Sequence, residues 1–341
     1  RVLVSQRQAI VSSSDISDTT LELMVERAIA MAKDAPPDKY AGLASVNQLA
    51  KQRDLSELEI CDPASDPSPI KLQEKAEIAE SSALEVGGVS QVSGASASYG
   101  KYSVFMAASN GFTANYDRSS NSVSCVAIAG EGLNMERDYD ADTRVYQSDL
   151  RPSDEIGRTA GLRAVERLNP RRPATGSYPV IYDERVSSGL VGHFLSAVNG
   201  AAITRGSSWL KDSLGKQVLP STCKLVENPH RLRAGASRLF DSEGLATKKR
   251  EILSKGVLNG WTLDLASARK LGMKPTANAS RNVSSNPSPT NWNIELSSPE
   301  DYCDNLLSEM GNGLLVTSLI GSTINPNTGD YSRGVSGFWV E

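Results

Sequence analysis

The sequence is poor in the residues that most often build metal and redox sites. It contains two histidines, His193 and His230, and four cysteines among 341 residues. The cysteines lie far apart and form no C-x-x-C pair: Cys61, Cys125, Cys223 and Cys303. This spacing argues against a zinc knuckle, a thioredoxin-type motif and a disulfide framework. We therefore expect reduced thiols in a cytoplasmic protein.

Long hydrophobic runs and basic charge are also missing. No segment approaches the roughly 18 apolar residues that a membrane span requires, so we expect no membrane segment. The net charge is −4, and the basic runs at Lys248, Lys249 and Arg250 and at Arg171 and Arg172 are short. Such runs are typical of solvated surface, and direct contact with nucleic acid is not expected. Because the chain starts at Arg1 without a signal-peptide pattern, we expect it to be incomplete at its N-terminus.

The length favours two domains, since 341 residues exceed what one hydrophobic core comfortably covers. The segment "NPRRPATGSYP" is rich in turn formers and predicts the boundary. We expect an α+β protein with an N-terminal α/β domain of antiparallel strands (1–173) and a β-rich C-terminal domain (174–341).

Three amphipathic helices are predicted in the first half. Thr19 and Glu22 suggest a capping box, Pro69 suits the first turn of the second helix, and Ser153 suits the cap of the third. Two helical stripes support the first two helices: Leu21, Met24, Val25, Ala28 and Ala32, then Leu72, Ala76, Ala79 and Ala83.

Strand patterns follow the second helix. Between two extended runs rich in Ser, Val and Tyr, Asn110-Gly111 predicts a tight hairpin turn. Further along, "YPVIYD" predicts a short buried strand that leads into a helix containing His193. The region beyond about residue 205 has short apolar runs broken by Gly, Asn and Pro, which favours strands.

Established catalytic motifs are absent. The sequence has no H-E-x-x-H, no G-x-S-x-G and no phosphate-binding glycine loop. "SWLK" matches the pattern S-x-x-K and places Ser208 one helical turn from Lys211, which could activate the serine. Such a short pattern often occurs by chance. Asp241 and Glu243 could act as paired carboxylates, although an exposed turn is the simpler interpretation.

The helix "RVSSGLVGHFLSAVNGA" has a wide apolar face with His193 at its edge: Val186, Leu190, Val191, Phe194, Ala197, Val198 and Ala201. A histidine in this position is usually structural, with its hydrogen bonds satisfied in a core or an interface. The alternative is a metal site that joins His193 to His230 and a carboxylate, with Glu227 or Asp241 as candidates.

Four long stretches closely resemble the TldD/PmbA family, in particular its PmbA or TldE branch: "GEGLNMERDYD", "GLVGHFLSAVNGAAITRGSSWLKDSLGKQV", "FDSEGLATKKREILSKGVLNGWTLDLASARKLGM" and "NPNTGDYSRGVSGFWVE". The resemblance implies a peptide-processing system in which a TldD subunit carries zinc on an H-E-x-x-x-H helix and pairs with TldE. An older name in this family is modulator of DNA gyrase.

The metal motif is degenerate in this chain. Aligning its Gly-His pair on Gly192 and His193 places Ser188 at the first histidine and Gly189 at the glutamate. Ser188 is a poor zinc ligand and Gly189 cannot act as a base, so neither role survives. Asn278 stands where the PmbA branch has a further histidine. Because residues five apart diverge by about 140° on a helix, we also expect a local bulge.

The resemblance favours a non-catalytic subunit without its own cofactor, which binds a zinc-containing TldD-type partner and a peptide substrate. When isolated, such a chain could form a homodimer. Two alternatives remain: a self-sufficient hydrolase that uses His193, or Ser208 with Lys211, and a non-proteolytic binding protein that acts on gyrase or a toxin system. The family's late zinc-ligating cysteine and its N-terminal helical region lie beyond this sequence.

Overall fold

A computed structural model describes residues 1–297 and 303–341 and confirms the α+β class. The helices are α1 (Asp18–Asp34), α2 (Pro69–Leu84), α3 (Ser153–Glu166), α4 (Glu184–Ala197), α5 (Gly200–Arg205), α6 (Leu265–Leu271) and α7 (Cys303–Met310). The strands are β1 (Val2–Val4), β2 (Arg7–Ala9), β3 (Val89–Ala107), β4 (Thr113–Ala129), β5 (Glu136–Arg144), β6 (Val180–Tyr182), β7 (Lys224–Glu227), β8 (Arg250–Ser254), β9 (Val257–Leu258), β10 (Ala279–Ser280), β11 (Ser288–Pro289), β12 (Ile294–Ser297), β13 (Gly313–Ile324) and β14 (Tyr331–Val340). Within these described ranges, no helix is both long and apolar enough to cross a membrane.

The first large layer is the antiparallel sheet β3-β4-β5, with α2 and α3 packed against it. Its core is built largely from small side chains: Ala79, Ala83, Ala127, Ala129, Ala160 and Ala164. Gly157 of α3 lies so close to α2 that an added Cβ would stand 1.9 Å from the Ala79 carbonyl oxygen. These small residues let the two helices pack closely on the sheet.

The predicted hairpin turn is confirmed between β3 and β4. Gly111 has a φ of +89°, which glycine adopts without steric cost, and the Asn110 side chain accepts a hydrogen bond from the Phe112 N–H at 3.2 Å. Beyond this turn, the Phe112 ring packs edge-on against Phe240, with 5.2 Å between the ring centroids. The hairpin tip therefore contacts the second half of the chain.

Two predicted helix caps are wrong. The N-cap of α1 is Ser17, so Thr19 already lies inside the helix and forms no capping box with Glu22. The N-cap of α3 is Pro152, and Ser153 is its first helical residue, without a side-chain cap. For α2, Pro69 occupies the first turn as predicted, and the Ser68 side chain caps the helix.

The apolar stripe of α1 is only partly buried. Ala28 and Ala32 are buried, whereas Leu21 and Val25 are 44% and 55% exposed. This happens because α1 packs on the small β1-β2 hairpin, which covers only one end of the stripe.

The described part of the second half contains two larger sheets and the two-stranded sheet β10-β11. Strands β12-β7-β8-β9 form an antiparallel sheet, and β14-β13-β6 form another in which β6 runs parallel to β13. The main core beside them contains Phe194, Val198, Leu210, Leu225, Ile252, Leu253, Leu258, Trp261 and Leu263. The prediction that β6 is buried is wrong, since Val180 is 46% exposed at the edge of its sheet. The predicted domain boundary falls in the segment 169–179, which has no regular structure.

A buried set of ion pairs joins β5 to the surrounding helices. Asp138 and Asp140 are 5% and 6% exposed, and each receives two arginines. The arginines are Arg163 of α3, Arg167 just after α3, Arg151 just before it, and Arg185 of α4. Through Asp138, β5 is therefore tied directly to the start of α4.

Candidate functional site

Helix α4 holds the three residues that the sequence analysis aligned with the metal motif, Ser188, Gly189 and His193. Asp183 caps the helix by accepting a hydrogen bond from the Arg185 N–H at 3.0 Å, and its own N–H donates to the Val316 carbonyl of β13. The Arg185 guanidinium then pairs with Asp138 of β5 at 3.0 Å. These contacts fix the N-terminal end of α4 between the two halves of the molecule.

The motif positions do not meet on one side of α4. Ser188 is exposed, and a Cβ added to Gly189 would have only Leu319 Cδ1 of β13 near it, at 3.9 Å. The helix is regular from Glu184 to Ala197, so the expected bulge is wrong. In a regular helix, residues five apart diverge by about 140°, so Ser188 and His193 face different sides of α4.

His193 packs against the C-terminal sheet. Its ring lies 5.3 Å from that of Tyr331, centroid to centroid, in an edge-on arrangement. Its Nε2 is buried and has no hydrogen-bond partner within the described ranges, and the same holds for Arg333 Nε. The expectation of a satisfied histidine therefore fails for this atom. Burial and then Tyr331 raise the pKa of the adjacent Tyr182, which Arg333 opposes.

These surroundings do not fit a zinc ion. Among the side chains that the structure describes, no three from His, Cys, Asp or Glu are placed to hold one metal ion. The side chain packed on His193 is the phenol of Tyr331, and the next residue on the same face of β14 is Arg333, whose positive charge repels a cation. No ligand set for zinc is present in the described part of α4 and its neighbours.

We expect His193→Ala to lower the free energy of unfolding by about 1 kcal/mol, because edge-on ring contacts contribute roughly 0.5 to 1.5 kcal/mol. The zinc content should not change. Urea denaturation and elemental analysis test this, with Ser188→Ala as the exposed control on the same helix. Loss of bound zinc in His193→Ala alone would contradict it.

The alternative metal site is also wrong, since His230, Glu227 and Asp241 each have other partners. His230 Nε2 lies 3.1 Å from Thr247 Oγ1. Asp241, 1% exposed, accepts hydrogen bonds from three backbone N–H groups, those of Glu243, Leu245 and Ala279.

Glu227 is the centre of a buried polar network. It is 1% exposed, and Arg250 Nε donates to its Oε2 at 2.5 Å. Its Oε1 accepts hydrogen bonds from Asn278 Nδ2 at 2.9 Å, Asn291 Nδ2 at 3.2 Å and the Trp292 N–H at 2.6 Å. Asn278 is thus a structural residue here. Arg250 is not part of a solvated basic run, as the sequence suggested, because it turns inward to Glu227 while its lysine neighbours remain exposed.

The serine–lysine pair is not assembled. Ser208 is 2% exposed, donates to the Ala197 carbonyl at 2.6 Å and accepts from the Leu210 N–H at 3.0 Å. Lys211 is exposed, and the segment is a turn instead of a helix. The Ser208 hydroxyl is therefore structural.

Asp241 is buried and Glu243 partly buried in their turn, which corrects the expectation of an exposed one. Burial raises the pKa of Asp241 to about 6. Burial and then the charge of Asp241 raise the pKa of Glu243 to about 8, against the opposing hydrogen bond from the Leu265 N–H at 2.8 Å. Glu243 also lines a cavity, as described below.

The raised pKa of Glu243 predicts a pH dependence of stability. Between about pH 5 and 8 this carboxyl is ionised in the unfolded chain but protonated in the fold, so stability falls as the pH rises. Over this pH range, the free energy of unfolding of Glu243→Gln should therefore fall by roughly 2 to 4 kcal/mol less than that of the wild type. Denaturant titrations at pH 5 and 8 test this, and equal losses in both proteins would contradict it.

The described cysteines are unpaired. Cys125 is buried, Cys61 and Cys223 are partly buried, and all three are free thiols. Burial raises the pKa of Cys125 to about 11, which makes it unreactive at neutral pH. The side chain of Cys303 lies outside the described part of the structure.

Sequence reasoning missed the groups that surround His193 and Arg185. Asp138 belongs to the alternating stretch "ERDYD", and Tyr331 to "DYSRG". Alternation indicates a strand with a polar face, but it does not identify the helix that covers that face. Only the pairing of distant segments brings these groups to α4.

Comparison with known proteins matches both halves of the chain. Residues 62–168 match the PmbA/TldA metallopeptidase central domain, and residues 175–341 match the C-terminal domain of the same family. Metalloprotease PmbA of Escherichia coli O157:H7 is 38% identical over 98% of this chain and 72% of that protein. A PmbA homolog of Haemophilus influenzae is 37% identical over 100% of this chain and 73% of its own length.

Solved structures share the fold. A proposed modulator of DNA gyrase from Bacteroides thetaiotaomicron superposes with a TM-score of 0.90 at 27% identity, covering 99% of this chain and 75% of that one. TldE from Thermococcus kodakarensis superposes with a TM-score of 0.75 at 19% identity, covering 95% and 73%, a likeness of fold alone.

The fold and the two matched domains define a protein of metallopeptidase architecture. The chain belongs to the PmbA/TldD family. This confirms the resemblance drawn from its sequence motifs.

Proposed function

We propose that this chain is a TldE-type, non-catalytic subunit of a TldD/TldE-type zinc metalloprotease that processes or degrades peptides. The observation that carries the proposal is α4, in which Ser188 and Gly189 replace a ligand and a base, and Arg333 lies on the strand that packs against His193. The name and fold of the Thermococcus kodakarensis TldE structure support it. Zinc and the catalytic base belong to the TldD-type partner.

The proposal also covers location and assembly. Three free thiols among the described residues suit a reducing compartment, so we place the complex in the cytoplasm. The subunit acts by completing the chamber that receives an unfolded peptide, and it forms a homodimer when its partner is absent. Its net charge of −4 argues for protein and peptide contacts over direct DNA contact.

The test is reconstitution with the TldD-type subunit of the same organism. Cleavage of an unfolded peptide is measured for each full-length subunit alone and for the mixture, together with zinc content. We expect cleavage only in the mixture, zinc only in the partner, and unchanged cleavage with His193→Ala. As the control, replacing the motif glutamate of the partner by glutamine should abolish cleavage.

Three outcomes would overturn the proposal. The partner could cleave fully when alone. This chain could cleave alone with one tightly held zinc ion, which would make it a self-sufficient peptidase. A tight association with gyrase, without any effect on cleavage, would make it a non-proteolytic binding protein.

A further inference from the structure

A cavity separate from α4 lies where the hairpin tip, the N-terminal strand β1, the 241–244 turn and α6 meet. Its volume is about 400 Å³, within the usual range for small-molecule sites. Phe112, Leu43 and Leu265 form an apolar wall. Three ionisable side chains also line the cavity: Glu243, Arg1 and Arg281.

Glu243 is held at the cavity wall with one oxygen uncommitted. Its Oε2 accepts the hydrogen bond from the Leu265 N–H at 2.8 Å, and within the described ranges Oε1 has no hydrogen-bond or ion-pair partner. The turn behind it is rigid, because the Asp241 carboxylate accepts three backbone hydrogen bonds. At Gly244, with φ of +83°, an added Cβ would stand 2.9 Å from the Phe112 ring, so turn and wall pack closely.

The two guanidinium groups supply positive charge to the same space. Arg1 is held by Gln8, whose Oε1 accepts from Arg1 Nη2 at 2.7 Å and from Nε at 3.1 Å. Arg281 is exposed at the rim. Burial lowers the pKa of Arg1. The charge of Glu243 opposes this lowering, and the charge of Arg281 adds to it. These mutual effects show that the three groups share one electrostatic environment.

A carboxyl group, guanidinium groups and an apolar wall together complement an ammonium group, a carboxylate and an apolar side chain. We propose that this cavity binds a small zwitterion with an apolar side chain, a free α-amino acid or a dipeptide. Glu243 receives the ammonium group, and Arg281 with Arg1 receives the carboxylate. The inference goes beyond the proposed function and does not depend on it.

Binding has a proton signature. Burial keeps Glu243 protonated at neutral pH, with a pKa of about 8, while Arg1 and the Leu265 N–H oppose this shift and the charges of Asp241 and Asp264 add to it. A ligand ammonium group favours the ionised carboxylate, so the Glu243 proton passes to the solvent. Calorimetry in two buffers of different ionisation enthalpy should therefore detect proton release at pH 7.

The test is calorimetric titration of the full-length protein with four probes. L-Leucine and L-leucyl-L-leucine carry both charges, leucinamide lacks the carboxylate, and N-acetyl-L-leucine lacks the ammonium group. We expect one site per chain, with at least tenfold weaker binding of both singly charged probes than of the better zwitterion. The comparison of L-leucine with L-leucyl-L-leucine distinguishes an amino acid from a dipeptide.

Matched variants assign each end of the ligand. Glu243→Gln keeps the acceptor for the Leu265 N–H and should weaken leucinamide and the zwitterions at least tenfold, but not N-acetyl-L-leucine. Arg281→Gln should weaken N-acetyl-L-leucine and the zwitterions, but not leucinamide. Glu251→Gln, on an exposed part of β8, is the control and should bind like wild type. The inference is overturned if no probe binds at 10 mM (~3 kcal/mol of standard binding free energy), or if folded Glu243→Gln binds all of them unchanged.

Discussion

Replacing Glu227 by alanine is expected to lower the free energy of unfolding by about 3 to 5 kcal/mol, or to prevent folding. The substitution removes the only carboxylate that Arg250 contacts as an ion pair in the described part of the chain. It also leaves the donors of Asn278, Asn291 and Trp292 without this acceptor in a buried site. Each buried donor left unpaired costs roughly 1 to 3 kcal/mol, partly recovered if water enters.

Glu251→Ala is the matched control for Glu227→Ala. Glu251 lies on the adjacent strand β8 and pairs with Lys224 at 2.6 Å, but both side chains are nearly half exposed. An exposed pair contributes at most about 1 kcal/mol, so its loss should be small. Urea denaturation of both variants and circular dichroism of Glu227→Ala check the prediction. Similar losses of unfolding free energy in the two variants would show that the Glu227 network does not stabilise the C-terminal core.

The second large effect is expected for Asp138→Ala, at about 2 to 4 kcal/mol of unfolding free energy. Asp138 Oδ1 accepts hydrogen bonds from Arg185 Nη1 at 3.0 Å and from the Tyr139 N–H at 2.8 Å. Its Oδ2 accepts one from Arg167 Nη1 at 3.3 Å. The variant leaves two guanidinium groups without their shared, buried partner, although both retain another carboxylate nearby.

Asp138→Ala should also change the motion of α4, because Arg185 is the contact that ties the helix to β5. We expect faster amide hydrogen exchange in α4 and little change in α2, which does not contact this pair. Glu155→Ala is the control, since the pair of Glu155 with Arg151 at 3.3 Å is exposed. Uniform acceleration across α2 and α4 would indicate global destabilisation in place of a loosened helix.

This coupling bears on the proposed function. If α4 faces a catalytic partner, its orientation depends on Asp138 as well as on the β13-β14 sheet beneath it. Asp138→Ala should then weaken activation of the partner. Ser188→Ala, which alters an exposed side chain, should have no effect on it. The reconstitution assay described above provides that readout.

Several elements were predictable because their signals are local. Ser68 and Pro69 begin α2 through a side-chain cap and a fixed φ, and both depend only on neighbouring residues. The turn at Asn110-Gly111 requires a positive φ that glycine adopts freely. Local patterns failed where two residues compete for one role, as at Ser17 and Thr19, since only the final path of the chain selects the cap.

The sequence alone showed which chemical groups the aligned positions lack, but not which groups the fold brings to a site. That Ser188 and Gly189 lack the chemistry of a ligand and a base follows from residue type alone. That Glu243 faces a cavity, and that Arg250 turns inward, depends on segments far apart in the chain. Side-chain periodicity indicates a face of a strand or helix, but does not indicate what covers it.

The sequence by itself determined the family, the α+β class and the hairpin, because each is expressed in residue type or in short-range spacing. The tertiary structure decided which polar groups are buried and what they contact. Burial depends on contacts between distant segments, and burial with those contacts sets the pKa of Glu243, the role of Glu227 and the anchoring of α4 by Asp138.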